Sequence, residues 1–268
     1  MTSGPPWPTA VRQSHRVSTL LERLAATGSF SIAGIAVELG VSRATIRRDL
    51  AALEEQGLLT RTHGGAVARG GSVELPVRYR ADRDRGQKQA IARAAMRALP
   101  SGPCVVAVNG GTTTREVARL LASRSELTVV TNALDIAMEL ALQPRVRLVV
   151  TGGRARNRSC ELVGPWAERT LGSINIDTAF IGVDGISARN GVSTHDATEA
   201  HINAIMIERS RRVVVVADGT KIGRDLLAHV APASAVDELI TDSSAAAPEL
   251  AAMRAQDITV TIADLPAH

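Results

Sequence analysis

Aromatic residues are nearly absent from this 268-residue chain, which has two Trp, two Phe and one Tyr. Its cores must therefore be built from Ala, Val, Leu and Ile. Cysteine is equally scarce. Cys104 and Cys160 stand far apart with no CxxC spacing, which speaks against a disulfide framework or a cysteine metal site and for two reduced thiols. No apolar run approaches the roughly 18–20 residues that would span a bilayer. The opening "MTSGPPWPTA" shows neither the charged start nor the apolar stretch of a signal peptide. The expectation is a cytoplasmic protein without a membrane partner. Lysine is the last shortage: of 31 basic residues only Lys88 and Lys221 are not arginine. A lysine kept against that background points weakly to a place where arginine would not serve.

What is present is ordinary in amount and uneven in placement. Hydrophobic residues make up 45% and charged residues 22%, as in soluble globular proteins, and the length suits a small domain plus one of ordinary size. The net charge is +4. Residues 1–70 hold eight arginines against five acids, whereas the remainder holds 23 bases against 22 acids. The basic excess thus sits in the N-terminal quarter, consistent with a nucleic-acid partner.

The first ten residues are Pro-rich and read, with Val11, as a disordered N-terminus, residues 1–11. Over residues 12–69 the pattern is helical at first. Val17, Leu20, Leu21 and Leu24 share one helical face, and Gly28 ends that helix. Ser31 is placed to cap a short helix with Ile32, Ile35, Ala36 and Leu39 inward. After Gly40, Ser42 caps a third helix running to about Gln56, with Ile46, Leu50 and Leu53 as its buried stripe. Two short helices joined by a three-residue turn make a helix-turn-helix. Leu58–Thr62 and Ala66–Ala68 read as two strands around a Gly64–Gly65 turn, which completes a winged helix.

On that third helix Arg43, Ala44 and Arg47 project from the early part opposite the buried stripe, where a recognition helix reads base edges. Ser42, Thr45 and the helix N-terminus suit phosphate contacts, as does Arg48 on the flank. Arg61 and His63 on the wing are candidates for backbone or minor-groove contact. The competing reading is a solvated basic face.

Residues 70–86 read as a linker and residues 87–268 as one α/β domain. Short Val/Ile strands ("CVVAV", "LTVV", "VRLVV", "TAFIGV", "VVVVA", "VDELIT", "ITVTIA") alternate with helices, which implies a mostly parallel sheet covered on both faces. Three loops follow strand ends: Asn109-Gly110-Gly111-Thr112-Thr113-Thr114, Thr131-Asn132 and Gly152-Gly153. Such loops gather ligand sites in open α/β sheets. Gly110 and Gly111 open a helix whose N-terminus and hydroxyls suit a phosphate, although a tight strand-to-helix turn needs glycine with no ligand at all. Lys221 lies just past a buried strand and is a candidate partner for a phosphate or sugar oxygen. His195, His201 and His229 lack metal spacing, so no metal and no cofactor are expected.

These motifs together resemble the DeoR-type transcriptional regulators. "VSRATIRRDLAALEEQGLLTRTHGGA" carries the likeness, continued by "GQKQAIARAA", "NGGTTT", "VVTNAL", "TGG", "DTAFIGVDGI", "TEA" and "VVADGTKIG". The resemblance implies a winged helix-turn-helix joined to an α/β sensor domain of the ribose-phosphate isomerase/CoA-transferase-like type. It implies a repressor of sugar or nucleoside catabolism, released from operator DNA by a phosphorylated sugar, and a homo-oligomer, since one DNA head binds weakly at physiological salt. Asp184 and Glu199 match acidic positions of the related isomerases and join the candidate effector residues. The rival expectation is a sugar-phosphate isomerase with an appended DNA-binding head. Against it, the isomerases' Lys-Gly-Gly-Gly stretch is missing from "ARNGVS", and proton transfer needs electrophilic stabilisation as well as a base. No catalytic residue is therefore assigned. Two positions depart from the regulator pattern: Asn109 stands where Asp is usual, and Asn203 where Lys commonly follows the Glu-Ala pair.

Overall fold

The computed structural model describes residues 9–68, 74–81 and 84–265. The chain divides into two compact units, Met1–Asp82 and Arg83–His268. Each is described on its own.

The smaller unit comprises α1 (Thr9–Thr27), β1 (Ser29–Ser31), α2 (Ile32–Glu38), α3 (Arg43–Glu55), β2 (Thr60–Arg61), β3 (Gly65–Val67) and a helical turn α4 (Val77–Arg80). Val17, Leu20, Leu21 and Leu24 of α1 pack on Ile32, Ile35 and Ala36 of α2 and on Ile46, Leu50 and Leu53 of α3, as their 3.6-residue spacing requires. Both expected caps form. Ser31 Oγ accepts from Gly34 N and Ser42 Oγ accepts from Thr45 N, each at 3.1 Å. Asp49, buried inside the α3 stripe, is held by Arg16 of α1 through a two-bond fork whose Nη2–Oδ1 arm measures 3.0 Å.

Three boundaries differ from the sequence reading. Helix α1 starts at Thr9, so residues 9–11 are helical, and residues 1–8 lie outside the described part. The stretch read as linker holds α4, and residues 69–73, 82 and 83 are outside the described part. The wing has three strands in the order β1-β3-β2 and not two, because Ser29–Ser31 pairs with Gly65–Val67. Gly65 consequently belongs to a strand and not to the turn. A Cβ there would stand 1.9 Å from the Phe30 carbonyl oxygen, so only glycine lets β1 and β3 close.

The larger unit contains α5 (Arg85–Ala95), β4 (Cys104–Val108), α6 (Thr112–Leu121), β5 (Leu127–Thr131), α7 (Leu134–Leu140), β6 (Arg147–Val150), β7 (Arg154–Arg156), β8 (Glu161–Val163), α8 (Pro165–Gly172) and β9 (Thr178–Gly182). It continues with β10 (Gly185–Ser187), β11 (Gly191–Thr194), α9 (Ala197–Glu208), β12 (Val213–Val216), β13 (Ala228–Ala231), β14 (Glu238–Asp242), α10 (Ala247–Arg254) and β15 (Thr259–Ala263). Seven strands form one sheet in the order β15-β14-β12-β9-β4-β5-β6, every neighbouring pair parallel. One apolar cluster built on α5, α6 and α7 and another on α8, α9 and α10 cover its two faces, as near-continuous Val/Ile strands demand. Among the described residues of the larger unit, the strands and α-helices absent from the sequence reading are β7, β8, β10, β11, β13, α8 and α10. All but α8 and α10 belong to two small antiparallel sheets outside the main one.

This topology locates a crevice. From β4 the chain winds through β5 and β6 to one side, then crosses back to β9 on the other side of β4 and winds on through β12, β14 and β15. The reversal lies between β4 and β9. In open parallel sheets ligands bind outside the C-terminal strand ends at such a reversal. Among the described residues, no helix is long and apolar enough to cross a membrane.

Candidate functional site

Two surfaces carry the residues singled out from the sequence. In the smaller unit, Ser42, Arg43, Ala44, Arg47 and Arg48 are exposed on α3, while Ile46, Asp49, Leu50 and Leu53 face inward. The helix therefore presents one basic face that the core leaves uncovered. Ser42 Oγ is engaged by the cap and lies 2.9 Å from Thr45 Oγ1, so these two hydroxyls fix where the helix begins. On the wing His63 is exposed. Arg61 is already tied to α3: its Nε donates to Glu54 Oε2 at 2.6 Å and its backbone N–H to Glu54 Oε1 at 2.8 Å. Its first task is to fasten the wing to the helix.

In the larger unit the C-terminal ends of β4 and β9 are bridged by Asn109. Its Nδ2 donates to Gly182 O at 2.9 Å, and its Oδ1 accepts from Gly182 N at 2.7 Å. This reciprocal pair needs one donor and one acceptor on the same side chain, which an amide has and an ionised carboxylate lacks. Both its polar atoms are engaged in holding the two central strands together.

Gly110 is also engaged within the protein. Its N–H donates to Glu161 Oε1 at 2.6 Å, and a Cβ at Gly110 would come within 2.5 Å of Glu161 Cγ. The glycine leaves room for a neighbouring carboxylate. Gly111 has φ of +152°, a left-handed conformation that glycine tolerates, and α6 begins there with no side-chain cap. The first helix bond runs from Arg115 N to Gly111 O, so the N–H groups of Thr112, Thr113 and Thr114 point out of the helix end. The Thr114 hydroxyl turns back to donate to Gly111 O at 3.0 Å, so not all three threonine hydroxyls face a ligand.

Thr131 is also consumed structurally. Its hydroxyl donates to Val108 O at 2.7 Å and accepts from Ala133 N at 3.1 Å. Next to it, Asn132 is fully buried, and neither its Oδ1 nor its Nδ2 has a hydrogen-bond partner. Its backbone carbonyl accepts from Leu162 N at 2.6 Å, which sets it beside Glu161. A buried amide with both atoms unsatisfied costs roughly 1–3 kcal/mol per group, so it needs a reason such as a ligand.

Glu161 itself escaped the sequence reading, although a lone acid amid apolar neighbours in "SCELVG" is the signal that marks it. It is fully buried and meets Glu199 of α9 and Asp184 beyond β9. Burial first, then the negative charge of Glu199 and a hydrogen bond shared with it, hold its pKa well above the usual carboxylate range. The Gly110 N–H works in the opposite direction and the charge of Asp184 adds to the rise. Thr194 links the acids, donating to Asp184 Oδ2 at 3.0 Å and lying 3.4 Å from Glu199 Oε1. Arg156 of β7, also unforeseen, places Nη1 3.1 Å from Glu199 Oε2 and Nε 3.2 Å from Asp196 Oδ2. The structure thus gathers Gly110, Asp184 and Glu199 through a residue that the sequence did not single out.

The remaining candidates sit elsewhere on this edge. Gly152 and Gly153 adopt φ of +71° and +125° just after β6, and a Cβ on Gly153 would lie 2.8 Å from Val163 O, a packing reason for that glycine. Lys221 is half-buried in a single 3-10 turn past β12, a turn that Asp218 caps. Lys88 is buried on α5. Among the described residues, no group of three or more His, Cys, Asp or Glu side chains is arranged to hold a metal ion.

Comparison with known proteins matches residues 16–69 to the DeoR-like helix-turn-helix domain and residues 83–243 to the DeoR C terminal sensor domain. A putative aga operon transcriptional repressor of Escherichia coli O157:H7 is 34% identical over 252 residues, covering 93% of this chain and 93% of that protein. The glycerol-3-phosphate regulon repressor of Escherichia coli K12 is 31% identical over 233 residues, covering 87% of this chain and 92% of that one. Among solved structures, ribose 5-phosphate isomerase A of Methanocaldococcus jannaschii overlaps 52% of this chain and 53% of its own, with 19% identity and a TM-score of 0.38.

Proposed function

The chain belongs to the DeoR family of helix-turn-helix transcriptional regulators, and from that membership we propose that it represses a carbohydrate-catabolism operon and leaves its operator when a phosphorylated sugar binds the larger unit. It is a regulator and not an enzyme, as its full-length relatives are. Asp184 and Glu199 accordingly serve binding, without a proton-transfer cycle.

On the DNA side, Arg43 and Arg47 read base edges from the first turns of α3. Ala44 sits between them at contact distance from the groove, and Arg48, Ser42, Thr45 and His63 meet backbone. Arg61 supports the wing and offers its outer guanidinium N–H groups to phosphate. On the effector side, the uncapped end of α6 takes the phosphate, Asn132 takes sugar oxygens, and Lys221 with the Gly152–Gly153 loop borders the site. The observation that carries this reading is the fully buried Asn132 amide, unsatisfied on both atoms, beside an uncapped helix end at the sheet's reversal point. A homo-oligomer supplies the second DNA head that useful affinity requires.

Effector and operator then oppose each other through a coupling free energy, which requires the sugar phosphate to prefer the DNA-free state. The test is selection of bound sequences from a random duplex pool, followed by mobility-shift titration of the selected DNA with a panel of sugar phosphates. A single enriched motif, released by one class of sugar phosphate, is expected. Enrichment of no motif, or release by none of the panel, contradicts the proposal.

A further inference from the structure

Beneath the α6 end, the buried acids pose a question of charge. Glu161, fully enclosed, lies within hydrogen-bonding reach of Glu199, and two carboxyl groups approach so closely only with a cation or a proton between them. Beyond the contact with Glu199, Glu161 Oε2 has no hydrogen-bond partner. One turn along α9 from Glu199, on the same buried face, Asn203 is 3% exposed and its Oδ1 is also unpartnered. With Asn132, the orphaned buried atoms here are three oxygen acceptors and a single donor, Asn132 Nδ2. Arg156 reaches Glu199 from β7 but divides its guanidinium with Asp196. An inventory rich in acceptors and negative charge asks for a group that brings several donors and a positive charge. A hydroxyl brings one donor and no charge, whereas an ammonium brings three donors and accepts nothing. A divalent metal is the poorer fit, because these acids are not arranged as a metal-holding group.

We propose that the effector is an amino sugar phosphate, its ammonium held by Glu161, Glu199 and the Asn203 carbonyl oxygen while its phosphate meets the N-terminus of α6. This deepens, and rests on, the sugar-phosphate reading above. Asn203 fits the same logic: it offers a neutral acceptor, and the ligand supplies the cation. In the ligand-free protein a proton shared by Glu161 and Glu199 occupies the place of the ammonium. When the ligand binds, its ammonium keeps its own proton and forms hydrogen bonds to both carboxylates, and the shared proton leaves to solvent. Asp196, its pKa lowered against partial burial by hydrogen bonds at the start of α9 and by Arg156, stays ionised, and Arg156 remains on Glu199 and Asp196.

Calorimetric titration of the full chain in two buffers of different ionisation enthalpy tests this directly. The ligands are the 6-phosphates of glucosamine, galactosamine and mannosamine, each beside its hydroxyl and N-acetyl counterparts. At least one amine is expected to bind about ten-fold or more tightly than its counterparts, with release of about one proton. Glu161→Gln is expected to abolish both the preference and the proton release. Asn203→Lys, which places an internal cation beside Glu199, abolishes the preference independently and covers the case in which the first variant does not fold. Equal binding of amine and hydroxyl forms, or a preference that survives Asn203→Lys, overturns the amine inference and leaves the sugar-phosphate reading standing. Binding of no phosphorylated sugar at all, amine or hydroxyl, overturns both.

Discussion

The two candidate surfaces follow opposite rules. On α3 the functional side chains are exposed, and the helix beneath them is stabilised by residues that take no part: Ile46, Leu50, Leu53 and the Arg16–Asp49 fork. At the β4–β9 edge the polar groups are buried and bonded to one another, so one residue positions the next: Asn109 on Gly182, Glu161 on Gly110, Thr194 on Asp184. An exposed face can change its partner without changing its fold. A buried polar network cannot, and its few unsatisfied atoms are the ones that call for a further partner.

This contrast predicts separable failures. The largest effect falls on α3. Removing both Arg43 and Arg47 as alanines should weaken specific operator binding by 100-fold or more, at roughly 1–3 kcal/mol per lost base contact, with an unchanged melting profile. A mobility shift alongside calorimetry reads both quantities. Next comes Gly110→Ala, which drives a methyl into the Glu161 side chain and should cost the larger unit about 1–3 kcal/mol. Chemical unfolding should show that transition moved and the smaller unit's transition unmoved.

Asn109→Asp should cost about 1–3 kcal/mol at neutral pH, because an ionised carboxylate cannot donate to Gly182 O. Protonation restores the donor, so the deficit should shrink as pH falls, and urea melts across pH measure it. Glu161 gives a pH dependence to the native chain. Its folded pKa lies above the ordinary 4.5, so the folded state binds the extra proton. The stability it contributes is complete below that ordinary value and is lost as pH rises toward the folded value. Glu161→Gln should flatten this fall when the two proteins are compared over the same pH series. The smallest effect is expected from Glu38→Gln, which breaks an exposed pair with Arg23 and should change stability by less than about 0.5 kcal/mol in the same melts.

The same contrast explains what the sequence made legible. The period of Leu20, Leu21 and Leu24 and the caps at Ser31 and Ser42 are local signals, so the helix-turn-helix could be drawn in advance with its exposed arginines in place. The strands of the parallel sheet were equally plain, being short runs of Val and Ile. Gly65 misled because its close approach to Phe30 is a long-range contact that looks, locally, like a Gly-Gly turn. The candidate effector site was half legible. Its loops follow strand ends, but which atoms are spent and which are spare depends on partners 51 to 73 residues away. Asn109 and Gly110 are candidate ligand contacts by their place in the sequence, and their bonds within the protein appear only in the fold. Glu161 and Arg156 lie on a hairpin with no alternation strong enough to announce it, and only the folded chain brings them to Glu199.

The most direct test of the account uses Asn132, the residue it holds to be waiting for a ligand. Fluorescence anisotropy of selected operator DNA, titrated with sugar phosphate in the presence of wild-type chain or Asn132→Ala, compares release at equal starting affinity. The account predicts that the variant binds DNA and melts as the wild type does or slightly higher, because an unsatisfied buried amide has been removed, yet needs about ten-fold or more effector for release. Release of the variant at the wild-type effector concentration would contradict it.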